Sequence, residues 1–417
     1  PCSVDSFSEG GGEDDGEDGR QVIVCTSGAR GRAHAGAPQP AVAKLVVRGM
    51  GAASGAPTFE HFSLWSDPLT WGANPPPIEG DTVFVLPGQS IVMDVSPPRL
   101  YFLVVQGSLT FARTDLQLDA SFIFVMDGRL TVGTEEAPFL ESAQITLHGS
   151  PVSKELPVYG AKVIACRRCT VPCRPARTLH LPPCGHHHTC ALPSSLLASR
   201  RVAQDRPTLV DSRSHQLDLH GAPTARTWTR LNATAAAGAK EVCFTEPVDW
   251  LPGSQLVITS SGFDMNEAEQ RTMAALTSNG RCASFDVPLD HEHAGETRYF
   301  AGRAVELRAE VGLLSRNVVV QGNAMSALDR HGGIITLYSP EGAHRSNSLI
   351  GRFSDVEMRY MGQAFQAGRY SIHYHMSGTL DQSYVRRCSI HHTYNRALRG
   401  LDPHTSGLPP SPLLPHS

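Results

Sequence analysis

The chain reads as an all-β protein, and three features say so. The first is the run Trp65-Ser66-Asp67-Pro68-Leu69-Thr70-Trp71-Gly72, followed by Gly80-Asp81-Thr82-Val83. Pro and Gly between and after the two tryptophans mark a tight entry turn. The second is a series of apolar runs of three to six residues, punctuated by Gly or Pro every ~8–12 residues. The third is that no stretch with helical period competes with them between Trp65 and Gly149.

The elements follow in order. Val83-Phe84-Val85-Leu86 closes at Pro87-Gly88, and Ser90 to Val95 closes at Pro97-Pro98. Leu100 to Val105 ends at Gly107. Phe122 to Met126, Leu130-Thr131-Val132 and Ile145-Thr146-Leu147 end at Gly128, Gly133 and Gly149. This texture fits a sandwich, a barrel or a β-solenoid. Strand character continues to Ala165, breaks, and returns at Leu217-Asp218-Leu219-His220-Gly221. Beyond Thr227 strands resume, with residues 266–276 as the one expected short helix or polar loop. Asn317-Val318-Val319-Val320, Ser354 to Tyr360 and Ser383 to Ser389 lie over one another as a weak repeat. Short strands recurring every ~25–40 residues fit the coils of a right-handed parallel β-helix.

Composition narrows the function classes. The 417 residues carry a formal net charge of −4, which gives no bulk attraction to nucleic acid or an anionic membrane. No apolar run reaches the ~18 residues that a membrane helix needs. The chain starts at Pro1 rather than Met and is read as an internal fragment, so a membrane is reached only through a segment absent from it. Residues 1–58 are Gly-, Pro- and acid-rich and expected to be disordered, as is the Pro-rich tail at 399–417. Five of the ten cysteines crowd between Cys166 and Cys190 with His186-His187-His188. The residue types suit zinc, but no second Cys-x2-Cys knuckle completes a site, and accidental composition is the preferred reading. Asn232-Ala233-Thr234 is a glycosylation sequon for a secreted chain. Cys243 and Cys282 flank the strand at Leu256–Thr259 and pair as a disulfide if their strands are neighbours.

Trp65 to Gly72, Leu103-Val104-Val105-Gln106-Gly107, Thr146-Leu147-His148-Gly149 and Val158 to Lys162 resemble a G8 domain. Trp228-Thr229-Arg230-Leu231, Arg308 to Gly312, Gly362-Gln363-Ala364-Phe365, Gly368 to His373 and Tyr394-Asn395-Arg396-Ala397 resemble the β-helix that follows it in the fibrocystin family. The resemblance implies a G8 β domain over 59–230, interrupted by an insert at 166–216, and the start of a parallel β-helix over 231–398. It implies a non-catalytic, extracellular piece of a single-pass receptor-type glycoprotein, without cofactor, meeting a protein or glycan ligand. The alternative is a hyaluronidase-like protein that shares the arrangement and binds or cleaves such a glycan.

The chemistry-bearing residues cluster late. His373 and His375 point to one face of a strand because side chains alternate, a placement suited to a metal or to acid–base work. With Arg369, Tyr370 and Arg396 they form a glycan-binding group in which arginine holds a carboxylate and tyrosine packs on a sugar. Asp355, Glu357 and Asp381 are the nearby acids for a glycosidase, which needs two carboxylates flanking the bond.

Overall fold

The computed structural model describes residues 62–72, 74–167, 216–339, 349–377 and 380–400. It also gives the backbone of three short strands, Val22–Cys25, Ala43–Val46 and Arg200–Val202. The principal body is a three-sided parallel β-solenoid. Face A holds the first half of Leu116–Met126, then Ala143–Leu147, Val318–Gly322, Val356–Arg359 and Ser389–His391. Face B holds Thr82–Val85, Leu100–Val105, the second half of Leu116–Met126, Val163–Arg167, Ile334–Tyr338, Ile372–His375 and Leu398–Gly400. Face C is a seven-stranded sheet from Ser63–Leu64 through Ser90–Met93, Ser108–Phe111, Arg129–Val132, Gln216–His220 and Ile350–Ser354 to Tyr384–Arg386. Every pairing within the three faces is parallel, so neighbours on a face come from successive coils rather than from hairpins.

Alternation builds the core. Val83, Leu103, Ile123, Ile164, Ile335 and Ile372 point inward from face B and are buried together with Leu130, Leu217 and Phe353 from face C. The entry motif belongs to this core. Asp67 caps a short 3-10 turn at Pro68–Trp71, accepting from the Leu69 N–H at 2.9 Å, and Gly72 closes it in the left-handed conformation at φ 68°. Trp71 donates from Nε1 to the Trp65 carbonyl at 2.8 Å, and the two buried rings meet edge to face 5.0 Å apart. The outer side of face B carries a second apolar layer, where Phe102, Phe122, Phe124 and Val163 lie under Leu156, Tyr159 and Ala161.

The structure divides the chain differently from the sequence expectation. Parallel coils lie on both sides of residue 230, and what separates them is an antiparallel unit. Its six strands run in the order Trp228–Arg230, Glu310–Leu313, Gln255–Ile258, Glu269–Thr277, Cys282–Phe285 and Glu241–Cys243. The boundary expected at 230/231 therefore falls between a strand of this unit and the loop that follows it. Asn317 pins the re-entry to the solenoid. Its Oδ1 accepts from the Ala222 N–H at 2.7 Å, and its Nδ2 donates to the carbonyls of Phe139 and Glu141 at 2.8 and 2.6 Å.

Three local expectations change as well. Residues 266–276 are not helical: after a 3-10 turn at Met265–Glu267 they form the strand Glu269–Thr277. Its buried positions begin with Glu269 and Arg271, which pair with each other, so charge occupies the inward face and hides the period. Cys166 and Arg167 belong to a face B strand, and Gln216 to a face C strand, so the interruption between the strands is 168–215. Arg200–Val202, within it, pairs in parallel with Thr82–Phe84. Arg399 and Gly400, assigned to the tail, complete the face B strand Leu398–Gly400. The Cys169, Cys173, Cys184, His186–His188 and Cys190 group and the segments 1–21 and 401–417 lie outside the described residues.

Candidate functional site

Coil stacking brings separate sequence segments together on the outer side of face B. Thr336, His373 and Arg399 stand in one register row, and Tyr338 and His375 in the next. Alternation points these side chains away from the core. The His373 and His375 rings lie 5.0 Å apart, Tyr370 meets His373 edge-on at 5.0 Å, and Tyr338 tilts against His375 at 5.0 Å. Arg396 and Arg399 approach the Tyr370 ring at 5.9 and 5.7 Å from its centroid, within cation–π range.

The geometry assigns the tautomer of His373. Its Nδ1 lies 2.9 Å from the Gly368 carbonyl, which only accepts, so Nδ1 carries the proton and Nε2 carries the lone pair. His373 is 4% exposed, and Nε2 has no hydrogen-bond partner among the described residues. Burial pushes this imidazole down to about 4, with His375 and Arg399 adding positive potential against the charged form. Burial also lowers His375, whose Nδ1 lacks a partner too. Both rings are therefore neutral at physiological pH and short of hydrogen bonds.

Of the five residues expected here, Tyr370, His373, His375 and Arg396 come together. Arg369 does not. Its Nη1 donates to the Val158 carbonyl at 2.7 Å and its Nη2 reaches Glu155 at 3.4 Å, so it fastens the loop beneath. Tyr338, Thr336 and Arg399 were not singled out from the sequence. Only the coil register, across 26 or 37 residues of sequence, places them beside the histidines.

The remaining expectations are placed as follows. Cys243 and Cys282 sit opposite each other on paired strands and form a disulfide. They and Glu241 are the one close group of three metal-ligand types among the described residues, and the disulfide consumes both thiols. Asn232 is exposed after Leu231, on the antiparallel unit. Asp355 is held by Arg387 through both carboxylate oxygens, and Glu357 accepts from the Arg316 N–H and from Arg359. Neither acid faces its partner across an open groove with a free carboxylate. A separate cleft of about 480 Å³ lies where His148, Ser150, Asn323 and Asp329 meet Arg99 and Tyr101. Asp119 orients His148 there, Oδ1 to Nε2 at 2.7 Å.

A parallel solenoid with a tryptophan–glycine entry and a polar, aromatic outer face defines the class, a G8 domain running into a β-helix. The family description "G8 domain" matches residues 70–174, and "CEMIP beta-helix" matches residues 342–399. The chain is 34% identical to human fibrocystin-L over 391 residues, covering 84% of the chain and 8% of that protein. Mouse fibrocystin-L is also 34% identical, over 82% of the chain, and mouse fibrocystin is 27% identical over 82%. The chain belongs to the fibrocystin family. It spans less than a tenth of the length of these relatives.

Proposed function

We infer that the chain is a non-catalytic, ligand-engaging segment in the extracellular part of a fibrocystin-type cell-surface protein. Its likeness to fibrocystin-L supports this placement. Among the described residues no helix is long and apolar enough to cross a membrane. The observation that carries the binding role is the row around Tyr370. An aromatic face, two arginines with no carboxylate partner among the described residues, and a lone pair on His373 Nε2 all meet at one place. Such a group fits an extracellular protein or glycan that offers an anionic group to the guanidinium ions, with Tyr370 and His373, 8% and 4% exposed, packed beneath them as support. The committed carboxylates at Asp355 and Glu357 give hydrolysis no support. Arg399, in register with His373, also makes the His373–His375 pair a poor cation site. Asn232 is the proposed glycan acceptor, exposed and away from this row.

The test is binding of the full chain to an array of anionic and neutral glycans and extracellular matrix proteins. Tyr370→Ala, His373→Gln and Arg396→Ala should each weaken the same interaction by at least tenfold. An interaction that all three variants leave intact would refute this assignment of the surface.

A further inference from the structure

The pair His391-His392 plays no part in the face B row. It stands on the outer side of face A, where the strand Ser389–His391 pairs with Val356–Arg359 and His391 is in register with Arg359. In a continuing strand the next side chain would turn to the opposite side. Instead His392 adopts a left-handed conformation at φ 49°, and its ring comes back to His391. The two Nδ1 atoms are 2.6 Å apart and the ring centroids 4.9 Å apart. The same left-handed turn occurs one coil earlier at Tyr360, φ 55°, whose ring tilts against that of the exposed His392 at 5.5 Å, so the coil corner sets this conformation and directs the His392 ring back along the face.

The other nitrogen of His391 has a carboxylate beside it. Nε2 lies 3.3 Å from Glu357 Oε1, and Glu357 is 4% exposed. The contact is close but not aligned as a hydrogen bond, and Nε2 has no other partner among the described residues; a small rotation of the ring would let an Nε2–H donate to the carboxylate and leave Nδ1 as the lone pair, directed at His392. A ring whose far nitrogen faces a carboxylate while its near nitrogen carries the lone pair has the arrangement of a metal-binding histidine. The nearby cation is committed: Arg359 donates from Nε to Gln321 at 2.8 Å and from Nη1 to Glu357 at 3.2 Å. Its charge and that of Glu357 cancel locally. This separates the pair from His373, whose neighbours Arg396 and Arg399 have no acidic partner among the described residues.

We propose that His391 and His392 form a surface site for a divalent transition metal of the zinc type, ligated by their two Nδ1 atoms, with Glu357 orienting His391 and water filling the remaining positions. Imidazole nitrogens bind zinc at about 2.0–2.1 Å, which sets two tetrahedral ligands roughly 3.3 Å apart. The exposed His392 ring opens by less than an ångström to reach that separation, and the proton its Nδ1 shares with His391 in the metal-free contact passes to its Nε2, leaving both Nδ1 lone pairs for the metal.

The test must resolve single residues, because the chain has 19 histidines, including the run His186–His188. The full chain, labelled at histidine Cε1, is titrated with Zn²⁺ and followed by NMR. The resonances of His391 and His392 should move together along one saturation curve. His392→Asn keeps a residue that tolerates the left-handed backbone, and it should weaken the response of His391 at least tenfold. Glu357→Gln should weaken it about 10- to 100-fold. Unmoved His391 and His392 resonances, or a His391 response that His392→Asn leaves unchanged, would overturn the site and mark the contact as a hydrogen bond between two rings.

Discussion

Replacing Gly128 with alanine tests the coil geometry most directly. Gly107 and Gly128 occupy the same corner, where face B turns into face C, in successive coils. A β-carbon on Gly128 would stand 2.5 Å from the carbonyl oxygens of both Gly107 and Val105. One on Gly107 would stand 2.3 Å from the Gln89 oxygen and 2.4 Å from that of Leu86. These obstacles are backbone atoms that already serve the ladder. Gly107 accepts from the Arg129 N–H at 2.8 Å, and Gln89 from the Ser108 N–H at 2.8 Å. Neither glycine has a positive φ, so the penalty is steric. Overpacking costs about 1–3 kcal/mol, and each ladder bond broken to relieve it adds about 1 kcal/mol. The sum for Gly128→Ala is roughly 3–5 kcal/mol. Gly80 provides the contrast. Its φ is 82° and nothing lies within 4 Å of its would-be β-carbon, so Gly80→Ala carries only the dihedral cost of about 1–2 kcal/mol. Urea unfolding followed by tryptophan fluorescence reads both, since Trp65 and Trp71 sit in the solenoid core. A Gly128→Ala midpoint no lower than that of Gly80→Ala would refute the stacked-corner argument.

Lys162 is 1% exposed and donates to Asn323 Oδ1, Ser326 Oγ and the His331 carbonyl, and burial pushes its amine down to about 8. The unfolded chain then binds the extra proton between pH 8 and about 10.4, so this group makes stability rise with pH across that window, by up to about 1.4 kcal/mol per unit. Lys162→Met should flatten that slope in denaturation measured at stepped pH, and an unchanged slope would count against it. Asp218 behaves oppositely in acid: burial raises its carboxyl to about 6 against the pull of Arg352, so its contribution is full below about pH 4 and is lost as pH rises towards 6. Asp218→Asn should remove that fall, and its persistence would reject the assignment. The Cys243–Cys282 disulfide spans 39 residues, and its loss through a paired Ser replacement should cost the antiparallel unit roughly 4 kcal/mol by chain entropy. A change below about 1 kcal/mol would show that the unit does not depend on it.

Much of the solenoid was legible because its strands are short, apolar and closed by glycine or proline. Val83, Leu103, Ile123 and Ile145 all fell in runs bounded this way, and all are core residues. The strand Glu269–Thr277 was illegible for the opposite reason. Its inward side begins with Glu269 and Arg271, and Glu269 also meets the fully buried His293 at 2.6 Å. A buried ion network replaces the apolar period that a sequence reading looks for. The antiparallel unit went unrecognised as a separate body because its strands have the same length and texture as the coils. Only pairing direction distinguishes them, and pairing is not written in any single strand.

The candidate site divides the same way. His373 and His375 could be placed on one side of a strand from their spacing alone, because alternation is a local property of the backbone. Local pattern therefore determined the all-β class, the entry turn and the facing of individual side chains. Tertiary structure decided that Arg399 and Thr336 stand beside His373, that Arg369 turns away to the Glu155–Val158 loop, and that His392 folds back onto His391. The physical reason is that neighbours on a parallel solenoid are set by the register of one coil on the next. That register depends on the whole intervening loop and on corner glycines that allow coils to approach, so it appears only when the chain is wound.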